Sequence, residues 1–201
     1  SKENETDNVS TGAEGGVSNT KRRKTHVILM IRHGQYEQAD SDADRVLTPL
    51  GREQAVLTGK RLAELLRAKK LPPVKHLYYS TMARATETGL LIANELAPTE
   101  KTMQVSPCSM IREGAVTEPD PPSWRWRPTE EKFLKEGFRV EAGFLNHVHR
   151  PDKDEEESYT TVLVCHGNVI RYFTLRALQL QPEAWLRMAV FNASVTALSV
   201  D

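Results

Sequence analysis

The chain contains 201 residues, with 27 basic side chains, 27 acidic side chains and 39% apolar residues. A net charge of zero argues against binding to nucleic acid or to an anionic membrane surface, because either needs a basic excess. Two cysteines, Cys108 and Cys165, are too few for a disulfide framework. No stretch approaches the roughly 18 consecutive apolar residues of a membrane span, so the sequence predicts a globular domain with no membrane segment.

The first 24 residues differ in composition from the remainder of the chain. Glycine, serine, asparagine, threonine and charged residues dominate this segment, and its only apolar residues are Val9, Ala13 and Val17. Such a segment buries too little surface to offset the entropy lost on ordering. The sequence therefore predicts a disordered leader over residues 1–24 and one folded domain over residues 25–201.

Short apolar runs alternate with amphipathic stretches after residue 24, which is typical of an α/β layer fold. The sequence predicts five strands, at residues 26–31, 77–79, 103–108, 160–165 and 195–200, the last at a sheet edge. It predicts three helices, one opening at Thr48-Pro49 and two over residues 82–96 and 168–178. Residues 113–128 are predicted to form a long ordered loop, and residues 152–157 a solvated turn.

Two histidines directly follow two of the predicted buried strands, in Arg32-His33-Gly34 and in His166-Gly167-Asn168. The carboxyl ends of parallel strands line the ligand crevice of an open sheet, so these histidines are expected to lie in one site. A metal centre is the competing interpretation, but it needs a third and a fourth ligand. No zinc-type spacing relates the other histidines, which are His26, His76, His147 and His149. The sequence therefore predicts no metal.

Two arginines add the features of a phosphate pocket. Arg32 precedes His33, and Arg84 falls in the first turn of the helix after the second strand. A guanidinium group can donate two parallel hydrogen bonds to two oxygens of one phosphate, and it stays charged at any working pH. The helix beginning near Asn168 places its N-terminus, a further anion-binding feature, beside His166.

A phosphate pocket that contains a histidine suggests a particular chemistry. A neutral histidine can attack phosphorus through one ring nitrogen and form a phosphohistidine, which water then hydrolyses. The leaving alcohol needs a proton donor, and Glu113, which follows the third predicted strand, is the best-placed carboxylic acid.

Two other interpretations of these residues stay open. Cys165 and Arg171 are separated by five residues, as in the cysteine-dependent phosphatases, where a thiolate attacks phosphorus. A domain that binds a phosphoprotein without turnover is the non-enzymatic alternative. Trp124 and Trp126 in the predicted loop would then serve either as a partner surface or as part of the core.

Three motifs in this chain resemble the histidine phosphatase superfamily, which includes the phosphoglycerate mutases. They are Arg32-His33-Gly34, the segment 80–86 with Arg84 at its centre, and His166-Gly167. The resemblance implies a three-layer α/β sandwich whose mostly parallel central sheet carries an antiparallel edge strand. It further implies that His33, Glu113 and His166 are catalytic, and that the phosphate ligands are Arg32, Arg84, His166 and Gly167.

Further segments resemble one mitochondrial branch of that superfamily, whose members are serine/threonine protein phosphatases: 50–55, 112–114, 118–122, 168–172, 176–179 and 185–187. This resemblance implies phosphoprotein substrates, no cofactor, a mitochondrial location and a homodimer or larger homo-oligomer. We expect no membrane anchor within residues 1–24. The acidic, proline-rich segment 118–126 favours hydrolysis of an exposed phosphoester, whereas a small-molecule phosphatase or a mutase of the same superfamily is the alternative.

Overall fold

A computed structural model describes residues 24–201, so the predicted disordered leader lies outside the described residues, Lys24 apart. The described residues form these strands and helices: β1 His26–Arg32, α1 Pro49–Arg67, β2 Val74–Ser80, α2 Ala83–Leu96, β3 Gln104–Cys108, α3 Glu130–His147, β4 Tyr159–Cys165, α4 Gly167–Ala177 and β5 Val195–Val200. Short 3-10 turns lie at Asp42–Asp44, Ser109–Ile111 and Pro182–Arg187. None of the described helices is both long enough and apolar enough to cross a membrane.

The five strands form a single sheet in the order β3-β2-β4-β1-β5. The first four are parallel, and β5 pairs antiparallel with β1 at one edge, as predicted. Every residue of β4 is buried, since it is the central strand and helices cover both faces. Arg32 is paired in register with Cys165, so the residues that follow β1 and β4 leave the sheet side by side.

Alternate residues of the strands face two separate apolar clusters, as the two-residue period of a strand requires. Ile31 and its neighbours pack against α1 and α2 on one face, whereas Met30 and its neighbours pack against α3 and α4 on the other. Leu66 and Ile92 belong to the first cluster, and Phe173 belongs to the second. The predicted three-layer α/β sandwich is therefore confirmed.

Local signals set the bounds of the predicted elements. Thr48 caps α1 by accepting a hydrogen bond from the amide of Gly51, and proline occupies the first helical position. That helix ends at Arg67, before the two prolines at 72 and 73. Strand β3 tolerates Pro107 because it lies at the edge of the sheet, where a missing N–H group costs no ladder bond.

No helix or strand is predicted over residues 129–150, where the structure has α3. Thr129 caps this helix by accepting a hydrogen bond from the amide of Lys132. The apolar period of this helix is hidden in the sequence because several of its apolar side chains point outward. These side chains are Leu134, Phe138 and Leu145. The preceding segment contains no helix or strand between residues 112 and 129, in agreement with the predicted loop.

The two tryptophans of that loop have different surroundings. Trp126 packs edge-on against Trp185, with ring centroids 5.4 Å apart, and against Phe133. Trp124 is 74% exposed. Core packing therefore accounts for the first tryptophan, and a surface position for the second.

We expect Gly51→Ala to destabilise the domain, because the added methyl group would overlap the backbone carbonyl of Gln35. Alanine favours a helix over glycine by about 1 kcal/mol, so a net loss must come from this overlap, which typically costs roughly 1–3 kcal/mol. Gly167→Ala is the matched control, since a Cβ there would lie 3.7 Å from its nearest neighbour. Urea unfolding measures both, and a Gly51→Ala variant as stable as the unchanged chain would contradict the close approach.

Candidate active site

The carboxyl ends of β1 and β4 bring the two predicted histidines together. The ring centroids of His33 and His166 are 5.2 Å apart, and both side chains are buried. Their proximity follows from the pairing of Arg32 with Cys165, which places both histidines one residue beyond the same level of the sheet. The structure therefore brings the two histidines together at one end of the sheet.

The hydrogen bonds of His33 select one tautomer of its ring. Nδ1 lies 2.8 Å from the carbonyl oxygen of Gly34, an acceptor only, so the proton sits on Nδ1. Nε2 therefore carries the lone pair, and it accepts a hydrogen bond of 3.2 Å from Nε of Arg84. Nδ2 of the Asn192 side chain donates a hydrogen bond to the carbonyl oxygen of His33 and holds this part of the backbone as well. His33 is thus a neutral imidazole whose Nε2 faces a guanidinium group.

The surroundings keep both histidines uncharged. Burial, followed by the charges of Arg84 and Arg32, lowers the pKa of His33 to about 3, although the hydrogen bond to Gly34 opposes this shift. Burial is also the largest cause that lowers the pKa of His166, ahead of its neighbour His33. Removal from water therefore contributes more to the lowered pKa of His33 than the neighbouring arginines do.

Arg84 lies at the centre of the site. Its side chain is 4% exposed, and Nη1 forms an ion pair of 3.3 Å with Asp42. Its guanidinium group also lies 4.8 Å from the ring centroid of Tyr36, a cation–π arrangement. The first turn of α2 thus places a cation beside the Nε2 atom of His33, as predicted.

Two nitrogen atoms in the site are buried and have no hydrogen-bond partner within residues 24–201. One is Nε of Arg32, whose Nη1 donates to the carbonyl of Val190 at 2.6 Å. The other is Nδ1 of His166, whose Nε2 lies 2.8 Å from Oγ of Ser80. An unsatisfied buried polar group is costly, and an anionic oxygen would satisfy both nitrogens when each carries a proton.

Gly167 begins α4 and lies beside two guanidinium groups. A Cβ at this position would be 3.7 Å from Nε of Arg32 and 3.8 Å from Nη1 of Arg171. The first amides of the helix are therefore close to two cations, an arrangement that favours an anion.

Glu113 completes the set of predicted residues. Its Oε1 accepts a hydrogen bond of 3.3 Å from the amide of Gly114. Burial raises the pKa of Glu113 to about 7, although the charges of Arg84 and Arg32 act against that rise. A carboxyl group that titrates near neutral pH can both hold and release a proton there.

The alternative nucleophile has unsuitable surroundings. Cys165 is fully buried within β4, and burial raises the pKa of its thiol far above the usual range. Arg171 lies in α4, where it donates to the carbonyl of Met188 and to Oδ1 of Asn168. A thiolate nucleophile needs the opposite, a lowered pKa and an exposed sulfur, so this geometry disfavours the cysteine hypothesis.

Four residues of the site were not singled out from the sequence: Tyr36, Asp42, Ser80 and Asn192. Ser80 belongs to the segment that carries Arg84, so the motif contained a signal for it. Asn192 lies 159 positions from its partner His33, and no local pattern marks it. Among residues 24–201, no three His, Cys, Asp or Glu side chains are grouped so as to hold a metal ion.

The family model of the histidine phosphatase superfamily (branch 1) matches residues 28–201, and the chain therefore belongs to that superfamily. Curated relatives include the serine/threonine-protein phosphatase PGAM5, mitochondrial, of Homo sapiens, which is 42% identical over 198 residues. The aligned part covers 96% of this chain and 65% of that relative, so the chain spans about two thirds of the relative's length. The corresponding protein of Drosophila melanogaster is 42% identical over 187 residues, covering 92% of this chain and 62% of the relative.

Solved structures share the fold. A phosphoglycerate mutase from Plasmodium falciparum is 30% identical with a TM-score of 0.59, covering 89% of this chain and 84% of that one. A mycobacterial glucosyl-3-phosphoglycerate phosphatase is 22% identical with a TM-score of 0.60, covering 88% of this chain and 91% of that one. The resemblance to the histidine phosphatases inferred from the sequence is therefore confirmed.

We expect the buried neutral histidines to make the domain sensitive to acid. The pKa of His33 falls on folding from 6.5 to about 3, so the folded state binds fewer protons than the unfolded chain between these values. This histidine makes its full contribution to the free energy of unfolding above pH 6.5. As the pH falls from 6.5 toward 3, that free energy decreases by about 1.4 kcal/mol per pH unit. The raised pKa of Glu113 acts in the opposite direction, with stability lost as the pH rises toward 7.

Urea unfolding across that pH interval measures this effect. His33→Gln should lose less stability on acidification than the unchanged chain, and the comparison cancels the contribution of Glu113 because both proteins contain it. Parallel pH dependences for the two proteins would contradict the expected cost of protonating His33.

Proposed function

We propose that this chain is a protein phosphatase that hydrolyses phosphoserine and phosphothreonine esters through a phosphohistidine on His33, with no metal. The observation that carries the proposal is the neutral His33 ring, whose Nε2 lone pair lies against Arg84 in a buried, cationic pocket. The superfamily match and the names of the curated relatives support the reaction class and the protein substrate.

In the first step, Nε2 of His33 attacks the phosphorus atom and forms a P–N bond while the ester P–O bond breaks. The electron pair of the broken bond goes to the leaving oxygen of the serine or threonine side chain. The carboxyl group of Glu113 gives its proton to that oxygen, which therefore leaves as a neutral alcohol. The proton on Nδ1 stays on the hydrogen bond to Gly34 throughout this step.

In the second step, water attacks the phosphohistidine from the side that the alcohol has left. The carboxylate of Glu113 now accepts a proton from the water as the new P–O bond forms and the P–N bond breaks. His33 and Glu113 thereby return to their starting protonation states, and inorganic phosphate leaves. The pKa of Glu113 near 7 suits a group that must act as an acid and then as a base.

Phosphate binding is assigned to Arg32, Arg84, His166 and the N-terminus of α4 at Gly167. The unpartnered Nε of Arg32 and Nδ1 of His166 support this assignment, because phosphoryl oxygens would accept hydrogen bonds from both. The same groups would stabilise the negative charge of the in-line transition state, and the side chains of Arg84 and His166 are buried. Charge stabilisation by side chains replaces the metal ion that other phosphatases use.

Hydrolysis is favoured over mutase chemistry by the loop that follows Glu113. Its exposed side chains include Glu118 and Asp120, whereas a mutase must hold the carboxylate of a phosphoglycerate, which favours a basic site. The relatives named as mitochondrial support that location for this chain. Assembly into a homodimer or a larger homo-oligomer stays a prediction from the resemblance.

We expect His33→Ala to abolish phosphate release from a phosphothreonine peptide in the presence of EDTA, since the variant lacks the attacking nitrogen. Cys165→Ala is the matched control, because it removes the alternative nucleophile from the adjacent strand and should retain most of the activity. Trapping of phosphate on His33, as an acid-labile and base-stable adduct, provides a second readout. Activity of His33→Ala close to that of the unchanged chain would refute the phosphohistidine route.

We expect kcat/KM for the same peptide to fall as the pH rises through about 7, the pKa to which burial raises Glu113. The first step needs the protonated carboxyl group, so the active form disappears above that pH. Glu113→Gln keeps the size of the side chain but cannot donate an acidic proton, and we expect a loss of roughly 10²–10⁴-fold. Dividing the kcat/KM profile of the unchanged chain by that of Glu113→Gln removes the titration of the substrate itself. A ratio that stays constant across about pH 7 would exclude Glu113 as the proton donor.

A further inference from the structure

Glu113 follows the short 3-10 turn Ser109–Ile111, and four carbonyl groups between Ser109 and Glu113 accept hydrogen bonds from one side chain. Nη1 of Arg139 donates to the carbonyls of Met110 and Arg112 at 2.9 and 2.8 Å, and more weakly to that of Ser109 at 3.4 Å. Nη2 of the same guanidinium donates to the carbonyl of Glu113 at 3.3 Å. Arg139 lies in α3, the helix that the sequence did not reveal.

A second side chain of α3 holds the same segment. Glu136, one turn before Arg139, accepts a hydrogen bond from the amide of Ala115. Gly114 lies between the two, since a Cβ there would be 2.6 Å from Nη2 of Arg139 and 2.7 Å from Oε2 of Glu136. Both sides of Glu113 are therefore attached to one face of α3.

We propose that Arg139, assisted by Glu136, is a positioning residue that holds the carboxyl group of Glu113 in place for proton transfer. The inference rests on the role proposed above for Glu113. General acid catalysis requires the donor to be within hydrogen-bond distance of the leaving oxygen, and a displacement of about 1 Å can cost roughly 10²-fold in rate. Without Arg139, the carbonyl groups from Ser109 to Glu113 lose the donor that fixes their path.

The chemistry of the side chain explains why an arginine occupies this position. A guanidinium group offers five N–H donors in a rigid plane, so that a single side chain can satisfy carbonyls along a curved segment. An ammonium group is a compact charge on a flexible stem and would reach fewer of them. Helix α3 is itself anchored in the core through Val140, so the donor sits on a rigid element.

The test compares two substrates that differ in their need for a proton donor. A phosphothreonine peptide releases an alkoxide that must be protonated, whereas p-nitrophenyl phosphate releases a stabilised phenolate that leaves without a proton. We expect Arg139→Gln to lower kcat/KM for the peptide by about 10-fold to 100-fold. The parameter compared is kcat/KM, because it reports only the steps up to formation of the phosphohistidine, whereas kcat also includes the later water attack, which needs Glu113 for both substrates. The same variant should change kcat/KM for p-nitrophenyl phosphate by less than about 3-fold, because its leaving group needs no proton and no hydrogen bond among residues 24–201 joins Arg139 to the proposed phosphate ligands.

Three variants complete the experiment. Lys135→Gln removes the same charge from an exposed position of α3 and should leave both activities unchanged. Arg139→Lys retains the charge with fewer donors and should restore part of the peptide activity. Arg139→Gln combined with Glu113→Gln should be no slower on the peptide than Glu113→Gln alone, because the group to be positioned is already absent.

The outcomes separate the two proposals. Equal losses on both substrates, or no loss on the peptide, would overturn the positioning role while leaving the role of Glu113 intact. If Glu113→Gln itself fails to distinguish the substrates, the proton-donor role is wrong and the positioning role falls with it. Partial unfolding of Arg139→Gln cannot imitate the expected result, since both activities come from the same folded molecules and their ratio does not change.

Discussion

The in-register parallel pairing of β1 with β4 is the constraint on which the site depends. Because Arg32 is level with Cys165, His33 and His166 leave the sheet at the same height, with ring centroids 5.2 Å apart. A shift of one residue in this register would turn one of the two side chains toward the opposite face. The buried central strands hold the register, since every residue of β4 is enclosed between helical layers.

Burial then separates the proton affinities of His33 and Glu113, the two groups that the proposed reaction uses. It lowers the pKa of His33 to about 3 and raises that of Glu113 to about 7, because the uncharged form of each is favoured away from water. The same physical cause thus keeps a base free of its proton and lets an acid retain one at neutral pH. The charges of Arg84 and Arg32 lower both pKa values, so they assist the shift of His33 and act against the shift of Glu113. Burial must therefore outweigh these charges at Glu113.

Helix α3 is the element that local patterns in the sequence do not reveal. Its outward apolar residues, Phe138 among them, obscure the helical period, and its side chains Glu136 and Arg139 contact residues more than twenty positions away. Arg139 and Glu136 are two ordinary charged residues among 54 in the chain. Only the folded arrangement shows that both contact the segment that carries Glu113, because contacts of this range leave no local pattern.

The amino-acid sequence by itself determined the alternation of strands and helices and the motifs around His33, Arg84, Glu113 and His166, and the resemblance carried by those motifs implied the antiparallel edge strand. The alternation and the motifs depend on local patterns, such as apolar runs, helix caps and residues that follow strand ends. The tertiary structure decided which nitrogen of His33 is protonated, the ion pair of Arg84 with Asp42 and the attachment of the Glu113 segment to α3. These properties depend on distances and burial between residues far apart in the chain, which no local pattern encodes.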